Sequence, residues 1–564
     1  MTERNWVGIQ ALLCLALVAP TGRAANRPVP SGELIFDHPG GYCQTAFTLT
    51  LGASAEASTI YYTTNGDDPR PSDARRYVLP IEITTSVIVR AAAYQSGTNL
   101  AGAGTRTFLF APDVLKQTGA GLPKTWGAFH GKPVPAYYGM TTPGEEIAPT
   151  APTVAAGLRS IATLSIVARP ADIFSDATGI YSHPLERGGA WERRASLEMF
   201  EADGRLAFQC DAGLRIHGGT SREPTESPKH SFRLIFKKRY GTDRLRCPLF
   251  GPDGAQDFDA LVLRAGNNDS WLSSQGEGRA RANYLRDEWM RQSMSAMGHP
   301  SARGRFVHLY LNGLYWGVYN LCEQPGPNLL ATVPSDRANG FDVRKGAKTE
   351  AGDDDAWNTL MSLANAGVAE DRSYEAASRY LDLPELADYL ILNFYAGNRD
   401  WDRSANWYAI RPRAPGGRFQ FLVWDGESAL ENRDANTLDF DDDACPPRLF
   451  QKLSDNATFR KMFATRAQRL LSRDGPLAPA PSAARFQILA DQVGAALAAE
   501  AARWGAYRRD AQPYKTGPFE RYSVENNWLP EINRLLTEFF PHRSAVLARQ
   551  FRARGLLGDQ LAEP

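Results

Sequence analysis

Between Ile161 and Leu330 the chain is written almost wholly in strands, and nothing else in the sequence limits its fold as much. The segments SLEMFEA, GLRIHGG, SFRLIF, ALVLRAG and RFVHLYL are of strand length, and Asn312-Gly313 supplies a hairpin turn into LYWGVYNL. One helical pattern, Ala282 to Gly298, interrupts them. From Asp354 onward helical spacing dominates, broken by a hairpin-like stretch from Asn406 to Asp425. Strands with one helix, followed by helices with one hairpin, predict an α+β domain over residues 153–560. A second unit precedes it. From Pro28 to Pro112, FTLTL, TIYYTT, PIEIT and SVIVRAAAY alternate apolar and polar residues, with Asn65-Gly66-Asp67-Asp68-Pro69 as a turn, which predicts a small β-sandwich. A Gly/Pro-rich stretch, residues 113–152, is expected to link the two.

The 564 residues suffice for two or three domains, at roughly 100–200 residues each. Lys and Arg number 63, as do Asp and Glu, and this balance argues against a nucleic-acid partner, which needs a concentrated basic face. The first 25 residues read as a secretory signal: Arg4, the apolar run Val7 to Pro20, and the small-residue exit Gly22-Arg23-Ala24-Ala25. Beyond it no stretch approaches the roughly 20 apolar residues of a membrane span. A chain exported to the periplasm, the cell surface or the medium is expected. Cys43, Cys210, Cys247, Cys322 and Cys445 form no CxxC pair, which argues against a structural zinc site.

The chemistry-bearing stretch is Gly397-Asn398-Arg399-Asp400-Trp401-Asp402-Arg403-Ser404-Ala405-Asn406, followed by a strand pattern ending at Trp424-Asp425-Gly426-Glu427. Phosphoryl transfer needs a residue to orient the acceptor hydroxyl, oxygen ligands for a divalent metal, and a cation near the phosphates. An Asp, then an Asn six residues on, then an Asp closing a hairpin has that order. Asp400 is the candidate base, with Asp402 its rival, and Asn406 and Asp425 are the candidate metal ligands. Upstream, Gly218-Gly219-Thr220-Ser221 lies between two strands with Lys229 opening the second, a pattern that offers backbone N–H groups and a cation to phosphate. On the residues alone, an ordinary turn with a surface lysine explains it as well. His217 and His230 lack any partner pattern and read as structural, and Asp439 to Asp443 reads as a solvated acidic loop rather than a Ca²⁺ site. No GxSxG is present.

Two resemblances sharpen this. The run Tyr62-Thr63-Thr64-Asn65-Gly66 to Pro69, with the strands after it, resembles the Ig-like domain at the C-terminus of chitobiases, here expected to act as a spacer that could also meet a cell-surface glycan. Gly397-Asn398-Arg399-Asp400-Trp401…Asn406-Trp407-Tyr408, Trp424-Asp425, Arg215-Ile216-His217-Gly218-Gly219, Pro228-Lys229-His230-Ser231-Phe232-Arg233, Leu309 to Tyr319, and Glu500…Arg503-Trp504-Gly505 together resemble the CotH kinase family. The resemblance implies an atypical, two-lobed protein kinase that uses ATP with Mg²⁺ or Mn²⁺ on Ser or Thr of exported or surface proteins. It implies Asp400 and Lys229 in catalysis and Ser221, Lys229, Glu288 and Glu323 at the nucleotide. Glu288 is the expected carboxylate partner of Lys229, with Asp287 as rival, and Glu323 falls where a kinase hinge lies. A non-catalytic surface or assembly protein is the alternative, and a carbohydrate-active enzyme the third reading.

Overall fold

The computed structural model describes residues 34–558 apart from 55–57, 141–149, 253, 331–339, 403–404 and 512–519, so the expected signal segment lies outside the described residues. The N-terminal strands form a five-stranded sheet in the order Gly41–Tyr42, Thr98–Leu109, Val87–Gln95, Thr59–Thr63, Arg75–Arg76. Two short pairs, Leu34–Phe36 with Leu51–Ala53 and Phe47–Leu49 with Ile81–Ile83, pack on it through Leu49, Leu51, Ile83, Val89 and Phe108. This is the small sandwich that the alternation predicts.

The strand-rich segment closes on itself. Seven strands make a barrel in the order Ala162–Val167, Arg193–Phe200, Leu206–His217, Ser231–Ile235, Ala260–Arg264, Leu314–Glu323, Gly304–Leu311. Closure is the parallel pairing of Ala162–Val167 with Gly304–Leu311, Leu164 opposite Leu309, and it removes the open edges a strand-rich domain would otherwise expose. Leu164, Leu197, Leu214, Leu234, Leu263 and Leu309 fill the interior. In Ala260–Arg264 both faces are covered, which is why its sequence runs apolar rather than alternating. Leu261 and Leu263 point into the barrel, while Val262 packs outward on Leu422 and Trp424 of a second sheet. By the same two-residue period, Arg264 leaves the barrel on that outer side.

The second sheet has the order Lys348–Ala351, Phe341–Lys345, Trp407–Pro412, Gln420–Val423, all antiparallel. Helices cover its other face, with Trp357 stacked on Trp407 at 5.3 Å. The buried helix Leu383–Ala396 begins at Asp382, whose carboxylate accepts the Glu385 N–H, and stops at Gly397 in the left-handed conformation. The helical pattern read over Ala282 to Gly298 is realised as Arg286–Ala296. Residues 113–152 do more than connect. They carry the hairpin Thr125–Phe129 and Lys132–Pro135, and Trp126 and Tyr138 join the aromatic end of the barrel core against Trp316 and Tyr181. Large buried rings of this kind dominate core energetics, which ties the stretch to the barrel. All five cysteines of the described residues are free thiols.

Two turns that the sequence marks separately meet where sandwich and barrel touch. A Cβ on Gly66 would stand 3.1 Å from the Ala168 carbonyl, which accepts from the Asn312 side chain at 2.8 Å. Beside them the Tyr42 and Tyr310 hydroxyls bond at 2.7 Å, and Thr107 donates to Glu198 at 2.9 Å. Glu198 is fully enclosed, and burial pushes its carboxyl up to about 8 against the pull of Arg106. The unfolded chain releases that proton near the ordinary 4.5, so folding holds the extra proton between the two values and stability falls as pH rises from about 4.5 to about 8. Glu198→Gln is therefore expected to raise the melting temperature at pH 8 by at least a few degrees, with the gain vanishing towards pH 4.5; calorimetry across that range checks it.

Candidate active site

Asp400, Asn406 and Asp425 reach one place because two local structures fix them. After Gly397 the buried Asn398 donates to Asn393 at 2.9 Å and accepts the Asp400 N–H at 3.2 Å, anchoring the loop to the helix end. Trp401 is sealed between Tyr389 and Phe394. Asn406 then donates its amide to the Asp400 carbonyl at 2.9 Å and opens the strand Trp407–Pro412. Its backbone is left-handed (φ 69°), as is that of Asp425 (φ 60°) at the end of the next strand. Asn and Asp are the non-glycine residues that best tolerate that region, and such positions persist only where surroundings hold them.

These residues line a cleft of about 170 Å³ whose opposite wall is the turn Gly218 to Ser221. Arg264, emerging from the barrel, binds Asp425 Oδ1 at 2.5 Å and Glu427 Oε1 at 2.7 Å, and its Nε lies 3.2 Å from Asp287. Its plane lies 4.7 Å over the Trp424 ring. Burial alone would raise the Asp425 carboxyl, but Arg264 and Lys345 outweigh it and hold the group below the usual range. Burial and the charges of Asp425 and Asp287 carry Glu427 the other way, up to about 7, despite Arg264. Lys345 also lines the cleft; burial lowers its ammonium pKa and Asp425 partly restores it. His217 lines it too, and burial, with Lys345 and Arg264 nearby, holds the ring neutral.

Of the residues singled out from sequence, Ser221, Asp400, Asn406 and Asp425 share this cleft. Asp402 does not line it. Lys229 does not either: its ammonium is buried and donates to Glu500 at 2.7 Å and to the Val318 carbonyl at 2.6 Å. The expected Lys229–Glu288 pair is therefore corrected to Lys229–Glu500. Glu288 is instead bound by Arg291 at 2.7 Å, the residue one helical turn on, and by Asn320 at 3.2 Å. Asp287, the rival partner, serves Arg264 and Arg291. Glu323 accepts the Arg303 N–H at 2.7 Å and holds two barrel strands together, away from the cleft. The sequence reading missed Lys345, whose only signal is its place at a strand end before Gly346. It also left Arg264 without a role. The acidic loop is tied down by Arg448, 2.8 Å from Asp441, and by Arg554 on Asp439. Among the described residues no three His, Cys, Asp or Glu side chains form a metal-holding group.

A seven-stranded barrel is thus joined to a helix-backed sheet, with Asp400, Asn406 and Asp425 in the cleft between them, behind a small sandwich. Residues 214–546 match the family described as CotH kinase protein, which covers more than half of the chain, so the protein belongs to that family. Residues 38–103 match the chitobiase/beta-hexosaminidase C-terminal domain. Among curated proteins no match is found.

Lys229 and Glu500 are both without solvent exposure. Removing one member of such a pair leaves the other charge buried alone, at a cost of about 3–5 kcal/mol. Glu500→Gln is expected to lose that much in urea unfolding, whereas Lys229→Met with Glu500→Leu recovers most of it.

Proposed function

We propose that the chain is an exported, metal-dependent protein kinase that transfers the ATP γ-phosphoryl group to Ser or Thr hydroxyls of exported or surface proteins. The observation that supports this most is the meeting of Asp400, Asn406 and Asp425 with the Gly218–Ser221 turn in one cleft. Membership of a family described as kinase supports phosphoryl transfer as the reaction class. Asp400 orients the acceptor hydroxyl and takes up its proton. Asn406 and Asp425 offer an amide and a carboxylate oxygen, the hard donors that Mg²⁺ or Mn²⁺ prefers, and so few protein ligands suit an ion that keeps its waters and binds phosphate oxygens. Because the Asn406 amide nitrogen is committed to the Asp400 carbonyl, its oxygen is the atom left for a cation. Such a cation, when bound, neutralises charge on the phosphates. Lys345 takes the place expected of Lys229 as the cation facing them, and the backbone and hydroxyls of Thr220 and Ser221 supply donors. The sandwich is a spacer that holds this domain at a surface.

One contact favours a second reading. Arg264 on Asp425 already neutralises the carboxylate, which would suit a scaffold that binds partners without transferring phosphate. Incubation of the purified protein with labelled ATP and Mg²⁺ or Mn²⁺ separates the two. Asp400→Ala and Asp425→Ala are each expected to lower transfer by about 10²-fold or more. Transfer that persists undiminished in both variants overturns the assignment, and partner binding that survives Asp425→Ala without any transfer supports the scaffold.

A further inference from the structure

Asp287 lies at the start of the helix Arg286–Ala296, outside the Asp–Asn–Asp set, yet it reaches the turn Asp425-Gly426-Glu427 by two routes. Its Oδ1 accepts the Gly426 N–H at 2.9 Å. Its Oδ2 faces Arg264 Nε at 3.2 Å, and Arg264 in turn binds Asp425 and Glu427 through Nη2. The guanidinium is a rigid planar fork, so fixing Nε against Asp287 also fixes where Nη2 can be offered. Arg291 Nε, 3.0 Å from the same Oδ2, keeps the Asp287 carboxylate from turning.

We propose that Asp287 is a positioning residue that sets the Asp425-Gly426-Glu427 turn and thereby tunes how strongly the cleft takes a divalent cation with its nucleotide; this rests on the reading of Asp425 as a cation ligand. Three features of the turn require such a brace. Asp425 is held in the left-handed region, which a residue with a Cβ keeps only under an external hold. That hold falls on the next peptide, where Gly426 meets the helix so closely that a Cβ would stand 3.0 Å from Met290 Cγ. Asp287, Asp425 and Glu427 also share one guanidinium, so the charge Arg264 spends on Asp287 is withheld from Asp425. All of these groups are at least half-buried, where such competition is little screened by salt. The helix that carries Asp287 therefore governs both the direction of the Asp425 carboxylate and the positive charge beside it.

The test uses the full chain with Asp287→Ala, Asp287→Asn and Asp425→Ala. Two quantities are read: amide hydrogen exchange over residues 425–428 without metal or nucleotide, and the Kd of Mn²⁺–ATP by calorimetry. Asp287→Ala is expected to speed exchange at Gly426 and to raise the Kd by about tenfold each, the size of one lost charge-assisted hydrogen bond. Asp287→Asn keeps an acceptor for the Gly426 N–H and gives up the charge on Arg264. It is expected to keep near wild-type exchange with a Kd several-fold changed, a split that a merely structural role would not produce. Unchanged exchange and unchanged Kd in Asp287→Ala overturn the proposal, as does an unchanged Kd in Asp287→Asn should the alanine variant fail to fold. If Mn²⁺–ATP binds the wild type and is lost in Asp425→Ala while Asp287→Ala behaves as wild type, the brace is wrong and the kinase reading stands. If exchange rises in Asp287→Ala but the wild type takes no Mn²⁺–ATP, Asp287 still holds the turn, whereas the tuning of cation uptake and the kinase reading both fall.

Discussion

The barrel and the helical half are held to one arrangement by an ion pair that water does not reach. Lys229 comes from the barrel and Glu500 from the helix Leu497–Trp504, and both side chains are fully enclosed. Burying two charges is favourable only when their remaining hydrogen-bonding capacity is met. Here the Val318 carbonyl accepts from Lys229 and the Val318 N–H donates to Glu500 at 2.7 Å, so one residue of the barrel wall completes both ions. The neighbouring Gly317 has φ 120°, and a Cβ there would lie 2.4 Å from the Glu500 carboxylate. Only glycine permits that approach. Arg503 and Trp504 then fasten the same helix to the Tyr315 and Trp316 carbonyls.

With the halves so fixed, the cleft between them is shaped by a second concentration of charge. Arg264 leaves the barrel on the outer face and meets three carboxylates brought by the helix Arg286–Ala296 and by the end of the hairpin. The strand period aims the arginine, the left-handed backbone aims Asp425, and the tryptophan between them gives the guanidinium a flat surface. Sheet, helix and barrel each contribute one side of an arrangement that none of them could hold alone.

The order of residues revealed what depends on neighbours in the chain. Alternation marked the sandwich and strand-length segments the barrel strands, and the turns at Asn65-Gly66 and Asn312-Gly313 were legible from residues that accept positive φ. The Asp400, Asn406 and Asp425 set was legible because short-range constraints, a helix end and a hairpin, position it. What escaped is long-range. Barrel closure depends on Ala162–Val167 meeting Gly304–Leu311, a parallel pairing that no periodicity encodes. The partner of Lys229 lies 271 positions away, on a helix that no local pattern connects to the barrel. The Glu288–Arg291 pair, three residues apart on one helix, was open to reading from spacing alone. Lys345 gave no sign of enclosure, because a lysine ending a strand looks the same whether solvent or a carboxylate faces it.

The distance between Lys229 and Glu500 also bears on how the molecule is made. As the nascent chain lengthens, the barrel strands are complete well before the helix bearing the counter-ion exists. Until then the buried lysine lacks its counter-ion, which disfavours the closed arrangement around it. Fragments that stop short of Glu500 never obtain the missing charge.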